Sequence, residues 1–168
     1  MRPLSNEQKN MFEYKKIQII NQPLSMVFSF FESPENLEEI TPKNLGFKIK
    51  TPKPLVMKAG AIFDYTVKLG FLRFPWKTLI TKYDPPYLFQ DVQKVGPYKK
   101  WDHTHEFIDL GTKTKIIDTV EYDLYPKVLS NLINKTFIKK RVENIFEYRS
   151  KVLENKFNSN NKGVNNVT

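Results

Sequence analysis

Hydrophobic and polar residues alternate with a period of two through most of the chain, which is the pattern of half-buried β-strands. The first such stretch covers residues 13–20, where Ile17 and Ile19 alternate with Lys16 and Gln18. Two short helices are predicted next, over residues 24–31 and 33–40. Five or so antiparallel strands follow, and turns rich in glycine and proline separate them. The segment 70–75 is predicted to be a loop between two of these strands.

After Pro126 the apolar period changes to 3.6 and predicts one long helix over residues 127–156, about 45 Å in length. Strands followed by a helix indicate the α+β class. We therefore expect a curved antiparallel sheet of six to seven strands wrapped around a long C-terminal helix. A sheet and helix packed in this way tend to leave a cavity, which is a usual place for a small apolar ligand.

The length of 168 residues suits a single domain over residues 11–157, with a flexible leader over 1–10 and a disordered tail over 158–168. The chain has no apolar run long enough to span a membrane and no apolar segment near its start that would indicate a secretory signal. It contains no cysteine, which removes disulfides and thiolate chemistry. These features together predict a cytoplasmic protein, either monomeric or weakly dimeric.

The net charge of +9 is uneven, because residues 126–168 carry nine Lys or Arg against three Glu. One interpretation of this excess positive charge is that it lies on a solvated face of the helix. The other is that basic residues of the helix, together with apolar residues of the predicted loop, contact an anionic membrane surface. Nucleic acid is not expected as a partner, since no exposed aromatic residues are interleaved with these charges. The residues of the membrane hypothesis are Lys135, Lys139, Lys140, Arg141, Phe71, Leu72 and Phe74.

Both histidines of the chain lie in one predicted hairpin, residues 89–107. A turn centred on Pro97 would place Asp91 opposite His103, and in the same register Phe89 faces His105 and Gln93 faces Trp101. On the next strand, Asp118 falls opposite His103 if the connecting loop has two residues, and opposite His105 if it has four.

Three interpretations of His103, His105, Asp91 and Asp118 remain open. A carboxylate can orient a histidine that serves as a general acid or base, which makes these four the candidate catalytic residues. Alternatively, His-x-His with two carboxylates supplies donors for zinc or iron. The third interpretation, which we favour, is a hydrogen-bonded network that anchors the polar end of a ligand. No metal or organic cofactor is predicted, and the chain has no phosphate-binding or dinucleotide fingerprint.

Several segments taken together resemble the START-like (SRPBCC) superfamily, in particular its small bacterial single-domain members described as cyclase/dehydrase-like or uncharacterised. The resemblance runs from about residue 12 to 157. It implies the helix-grip fold of the birch-pollen allergen family, with a hydrophobic pocket between the sheet and the C-terminal helix. The segments are SPENLEEITP (33–42), WKT (76–78), FQDVQ (89–93), GPY (96–98), WDHTHEF (101–107), DTVEY (118–122) and IFEYR (145–149).

This superfamily includes carriers as well as enzymes, so the resemblance implies a pocket without naming a reaction. The expected function is binding of a hydrophobic small molecule, such as a lipid, a quinone or a polyketide-like ring. The alternative is a cyclase, dehydratase or hydrolase that uses the histidines and carboxylates, and the second alternative is a module that contacts a membrane surface. The candidate ligand-binding residues are Tyr65, Trp76, Phe89, Gln93, Trp101, Phe107, Tyr122 and Phe137.

Overall fold

The computed structural model describes residues 11–125 and 137–159 of the chain. Seven strands and two α-helices make up this part, together with two short 3₁₀ helices. In chain order the elements are β1 (Phe12–Ile20), α1 (Leu24–Glu32), the 3₁₀ helices Pro34–Glu38 and Lys43–Leu45, β2 (Lys48–Ile49), β3 (Ile62–Leu69), β4 (Leu72–Asp84), β5 (Leu88–Val95), β6 (Lys100–Asp109), β7 (Thr114–Asp123) and α2 (Lys139–Ser159).

The seven strands form one antiparallel sheet in the order β1-β7-β6-β5-β4-β3-β2. Each strand from β2 to β7 pairs with its neighbour in sequence, and β1 closes the order by pairing with β7. With α2 packed on this sheet, the predicted α+β helix-grip fold is confirmed. Of the two short helices predicted after β1, the first is α-helical and the second is a 3₁₀ helix.

The predicted loop over residues 70–75 is wrong, because most of it belongs to β4. Gly70 adopts a φ of 66°, which permits a two-residue turn with Phe71, so Leu69 pairs directly with Leu72. Pro75 lies within β4 opposite Thr66, whereas the ladder to β5 begins only at Lys77. A proline is tolerated there, because that part of β4 needs no N–H donor toward β5.

Helix α2 is held against the sheet along β1. The Gln18 side-chain amide donates to the Ser150 carbonyl at 2.9 Å, and Gln22 donates to the Phe157 carbonyl at 3.1 Å. The helix ends at Ser159, three residues beyond the predicted end, so residues 158 and 159 of the predicted tail are helical. The predicted start at residue 127 and the apolar residues 129, 132 and 133 lie outside the described part of the chain, as do Lys135, the predicted leader over 1–10 and the predicted tail from residue 160 onward.

The side of β1 that faces α2 carries polar as well as aromatic side chains, and Tyr14 packs on Phe146 with ring centroids 5.0 Å apart. Ile17 and Ile19 are each about half exposed, whereas Lys16 pairs with Glu147 of α2. The apolar contacts of the helix come instead from residues that are almost fully buried: Val142, Phe146, Leu153 and Phe157. None of the described helices combines the length and the apolarity that crossing a membrane requires.

Candidate functional site

A cavity of about 170 Å³ lies between the sheet, α2 and the segment from α1 to the second 3₁₀ helix. Most of its wall is apolar, and its polar groups include two histidines, one carboxylate and two arginines on α2, Arg141 and Arg149. The cavity therefore has an apolar body and a charged region. The apolar wall includes Phe30, Phe31, Leu37, Ile40, Met57, Phe63, Val67, Ile80 and Phe146, and the polar residues named here are Asp91, His103, His105 and Arg149.

Half of the eight predicted ligand-binding residues lie in the cavity wall: Tyr65, Trp76, Phe89 and Trp101. The structure places the other four elsewhere. Phe107 and Tyr122 are buried in the packed core, and Gln93 donates its amide to the Tyr98 carbonyl at 2.7 Å. Phe137 is 71% exposed just before α2. Period-two alternation correctly predicts which strand residues face inward. It does not predict which of these inward residues line the cavity and which pack against other core side chains.

The register of the central hairpin matches the prediction at two of three pairs. Phe89 pairs with His105 and Asp91 pairs with His103. The ladder ends one pair before Gln93 and Trp101, because Gln93 bonds to the turn at Tyr98 instead. The β6–β7 loop has four residues, so Asp118 lies opposite His105.

The two imidazoles lie side by side between two carboxylates, with ring centroids 3.8 Å apart. His103 Nε2 lies 3.2 Å from Asp118 Oδ1, and His103 Nδ1 lies 3.6 Å from Asp91 Oδ2. His105 Nδ1 lies 2.7 Å from Asp118 Oδ1, and His105 Nε2 lies 3.5 Å from Asp91 Oδ2. The 2.7 Å contact is close but lacks the alignment of a hydrogen bond, so we treat it as an ionic contact.

Asp118 does not lie in the cavity wall that the described residues form; it lies behind the two histidines. Its side chain is almost fully buried, and it contacts both imidazoles as well as the Arg149 guanidinium at 3.8 Å. Asp91 is the more accessible carboxylate and lines the cavity. The four predicted polar residues are therefore together, with Asp91 toward the cavity and Asp118 beneath the rings.

Arg149 is a member of this cluster that the sequence analysis missed. It is 6% exposed and projects from the buried face of α2, with its guanidinium 4.9 Å from the Phe146 ring centroid. A signal was present in the sequence, because Arg149 falls three residues after Phe146 and four before Leu153, on the apolar stripe of the helix. A charge in such a stripe must be paired inside the protein or meet a ligand.

Burial and mutual contact separate the pKa values of the clustered groups. Burial, followed by the neighbouring His105, lowers the pKa of His103 to about 4. Burial also acts to lower the pKa of His105, but Asp118 and Asp91 outweigh it, so that pKa is raised. For Asp118 the facing imidazoles outweigh burial and hold its pKa well below the usual range. The cluster thus favours a neutral His103 beside an ionised Asp118.

Tyr98 lies in the cavity wall, and the burial of its phenol can be tested through the dependence of the unfolding free energy on pH. Burial raises the pKa of its phenol to about 12, whereas the unfolded chain ionises near 10. The unfolded state therefore loses the proton first, and stability falls as the pH rises between these values. We expect the unfolding free energy of the wild type, relative to that of Tyr98→Phe, to fall by about 1.4 kcal/mol per pH unit over this range.

Urea denaturation of both proteins between about pH 9 and 12 measures this difference, and the ionisation of the other tyrosines and of lysines largely cancels in the comparison. A difference that stays constant with pH would mean that the Tyr98 phenol ionises as easily in the folded protein as in the unfolded chain.

A scan against protein-family models finds none that matches, and a search of curated proteins finds no significant similarity. Solved structures do match. The protein TTHA0849 from Thermus thermophilus is 16% identical with a TM-score of 0.70, over 88% of this chain and 98% of that one. The Zhui aromatase/cyclase from a Streptomyces species is 12% identical with a TM-score of 0.61, over 86% and 95%.

Norcoclaurine synthase from Thalictrum flavum, in a complex with dopamine and hydroxybenzaldehyde, is 14% identical with a TM-score of 0.62, over 91% of this chain and 92% of that one. At these identities the likeness establishes the fold. The neighbours share the helix-grip architecture that the START-like resemblance implied, and they include a cyclase and a synthase.

Proposed function

We propose that this protein binds a hydrophobic small molecule, about the size of one or two fused rings, in the cavity between the sheet and α2. The observation that carries this proposal is the cavity itself, whose apolar wall adjoins a charged cluster of Asp91, His103, His105 and Arg149. Such a site suits a ligand with an apolar body and one polar end.

The volume favours a ring over a long acyl chain. An apolar cavity of about 150 Å³ holds one benzene molecule. The cavity here is about 170 Å³ and partly open to solvent, so a second fused ring can extend toward the opening. Quinones and polyketide-like rings therefore fit this volume better than a lipid with a long chain does. The complex of norcoclaurine synthase with dopamine and hydroxybenzaldehyde supports the same choice, because both ligands contain a single aromatic ring.

The arginine favours a ligand that carries an oxygen acceptor. Nε and Nη1 of Arg149 are buried and have no hydrogen-bond partner among the described residues. A buried guanidinium N–H without an acceptor costs free energy, and a carbonyl or phenolate oxygen of a ligand would supply the acceptor. A quinone carbonyl meets this requirement.

Organic extraction and native mass spectrometry of the purified full-length chain test the proposal without a choice of ligand. We expect a co-purified aromatic molecule, or binding of menadione in a calorimetric titration when the purified protein carries none. If the purified protein carries no small molecule and also binds none of a panel of quinones, phenols and fatty acids, the proposal is contradicted.

A second candidate function is acid–base catalysis in the same cavity. The observation that favours it is the contact of His103 Nε2 with Asp118 at 3.2 Å, beside Asp91 and the cavity. A carboxylate that fixes one ring nitrogen leaves the other free to take or give a proton. The reaction would be a cyclisation or dehydration of a bound ring. If His103→Gln and His105→Gln bind a substrate normally and turn it over at the wild-type rate, this candidate fails.

A third candidate is contact with an anionic membrane surface. Arg141 Nη2 donates to the Lys68 carbonyl at 3.0 Å, which brings the first turn of α2 beside the β3–β4 turn. Phe71 in that turn is 93% exposed, and Lys139 and Lys140 are exposed on the helix. An apolar tip flanked by lysines matches the chemistry of an anionic lipid surface.

Liposome co-sedimentation tests this third candidate. We expect binding to vesicles containing phosphatidylserine at low salt, with a loss of about tenfold in Phe71→Ser and in Lys139→Gln/Lys140→Gln, and weaker binding at high salt. Ile108→Ser, which removes another exposed apolar side chain, serves as the matched control. Equal binding by all variants would remove the candidate.

We further propose that residues 11–157 act as a single domain in the cytoplasm, as a monomer or weak dimer, with the small molecule as the principal partner. The absence of cysteine from the sequence supports a reducing compartment. Light scattering of the purified chain tests the oligomeric state.

A further inference from the structure

Three donor atoms converge at the polar end of the cavity. They come from Asp91 on β5 and from His103 and His105 on β6, and one ligand atom of each lies within 4.8 Å of the other two. His103 Nδ1 and His105 Nε2 lie 3.6 and 3.5 Å from Asp91 Oδ2. A tetrahedral ion with bonds of about 2.0–2.2 Å separates its donors by about 3.4 Å. We infer that Asp91, His103 and His105 bind a divalent transition-metal ion of the zinc type.

The second carboxylate contacts both rings on the side away from Asp91. Asp118 Oδ1 lies 3.2 Å from His103 Nε2 and 2.7 Å from His105 Nδ1, which are the nitrogens that face away from Asp91. Metal-binding histidines commonly direct their other ring nitrogen at a carboxylate, which fixes the tautomer. Asp118 is therefore a positioning residue for His103 through a hydrogen bond, and it contacts His105 by charge alone.

The spacing between Asp91 and the two rings suits a bound cation better than direct hydrogen bonds. A neutral imidazole has one N–H. When that N–H points to Asp118, the nitrogen toward Asp91 presents a lone pair to a carboxylate oxygen. Distances of 3.5 and 3.6 Å exceed the usual hydrogen-bond range of about 2.7–3.2 Å. A cation between the three donors turns this repulsion into attraction. A second proton on His105, whose pKa both carboxylates raise, is the metal-free alternative that the titration below distinguishes.

The net charge of the cluster determines which kind of ligand suits the fourth coordination position of the metal ion. Asp91 and Asp118 contribute two negative charges, Arg149 contributes one positive charge, and a divalent ion brings the sum to +1. Because all three protein donors come from the sheet and line the cavity, the fourth position faces the cavity. It suits an oxygen donor with negative character, such as a hydroxide, a phenolate or a carboxylate. Two imidazoles and one carboxylate also bind Fe²⁺ and Co²⁺. The donor set therefore selects a class of divalent transition-metal ions and not one metal.

The test uses the full-length chain without an affinity tag, first dialysed against EDTA and then titrated with Zn²⁺ by calorimetry and with Co²⁺ by visible absorption. We expect one ion per chain. Asp91→Ala should weaken the affinity at least about 100-fold, and Asp118→Asn should weaken it about 10- to 100-fold. Asp91 is the first choice because its side chain is the most exposed of the ligands, and circular dichroism confirms that each variant is folded.

The matched control is Asp102→Asn, which changes a carboxylate on the other face of β6 that accepts a hydrogen bond from Gln90 at 2.7 Å. Its affinity for Zn²⁺ should equal that of the wild type. No uptake of either metal, or equal uptake by Asp91→Ala and the wild type, would overturn the inference. These titrations contain no hydrophobic ligand, so their outcome is independent of the proposed function.

Discussion

Replacing Asp118 with asparagine is expected to lower the free energy of unfolding by about 3 to 5 kcal/mol. Asp118 lies behind both histidines, within 3.8 Å of the buried Arg149 guanidinium. The substitution keeps the volume of the side chain but removes the charge that balances Arg149 and the imidazoles. It leaves an uncompensated buried cation, and this cost exceeds that of an ordinary lost hydrogen bond of about 1 kcal/mol.

Urea denaturation measures this effect, and Asp102→Asn is again the control, with an expected loss of about 1 kcal/mol or less. The double variant Asp118→Asn/Arg149→Met should recover part of the lost stability, because it removes both charges of the pair. A loss from Asp118→Asn no larger than that from Asp102→Asn would show that the buried cluster does not depend on this carboxylate.

Replacing Val67 with tryptophan is expected to weaken the binding of menadione by about 100-fold or more, which corresponds to about 2.7 kcal/mol. Val67 is buried on β3 with its side chain in the cavity wall. An indole at this position occupies much of a cavity of about 170 Å³, so a ring can no longer enter. Calorimetric titration gives the affinity.

Ile62→Trp is the matched control. Ile62 lies on the same strand five residues earlier, on the opposite face, and is 50% exposed. Its substitution introduces the same side chain without filling the cavity, and its affinity should stay within about twofold of the wild type. Equal affinities of the two variants would place the ligand outside the cavity.

The order of elements and the register of the central hairpin could be predicted from sequence, since both follow from local patterns. The alternation around Pro97 fixes the pairs Asp91–His103 and Phe89–His105. For Asp118 the sequence left two registers open, because only the length of the β6–β7 loop distinguishes them.

Other features depend on contacts between distant segments and could not be assigned in this way. Ile17 and Ile19 face outward although they are apolar, because α2 supplies polar partners to Lys16 and Gln18 on the other side of the strand. Arg149 joins the cluster only because α2 packs across the sheet. The β3–β4 turn depends on the backbone of Gly70, which a count of apolar residues does not reveal.

The measurement that tests the central claim most directly is an isotope-filtered NOESY experiment on the labelled protein with menadione. The chain contains no cysteine that could react with the quinone. We predict intermolecular contacts from the naphthoquinone ring to Val67, Trp76 and Phe146, which line the cavity, and none to the exposed Ile62. Contacts confined to exposed side chains such as Ile62, or the absence of any bound state at ligand saturation, would contradict the account.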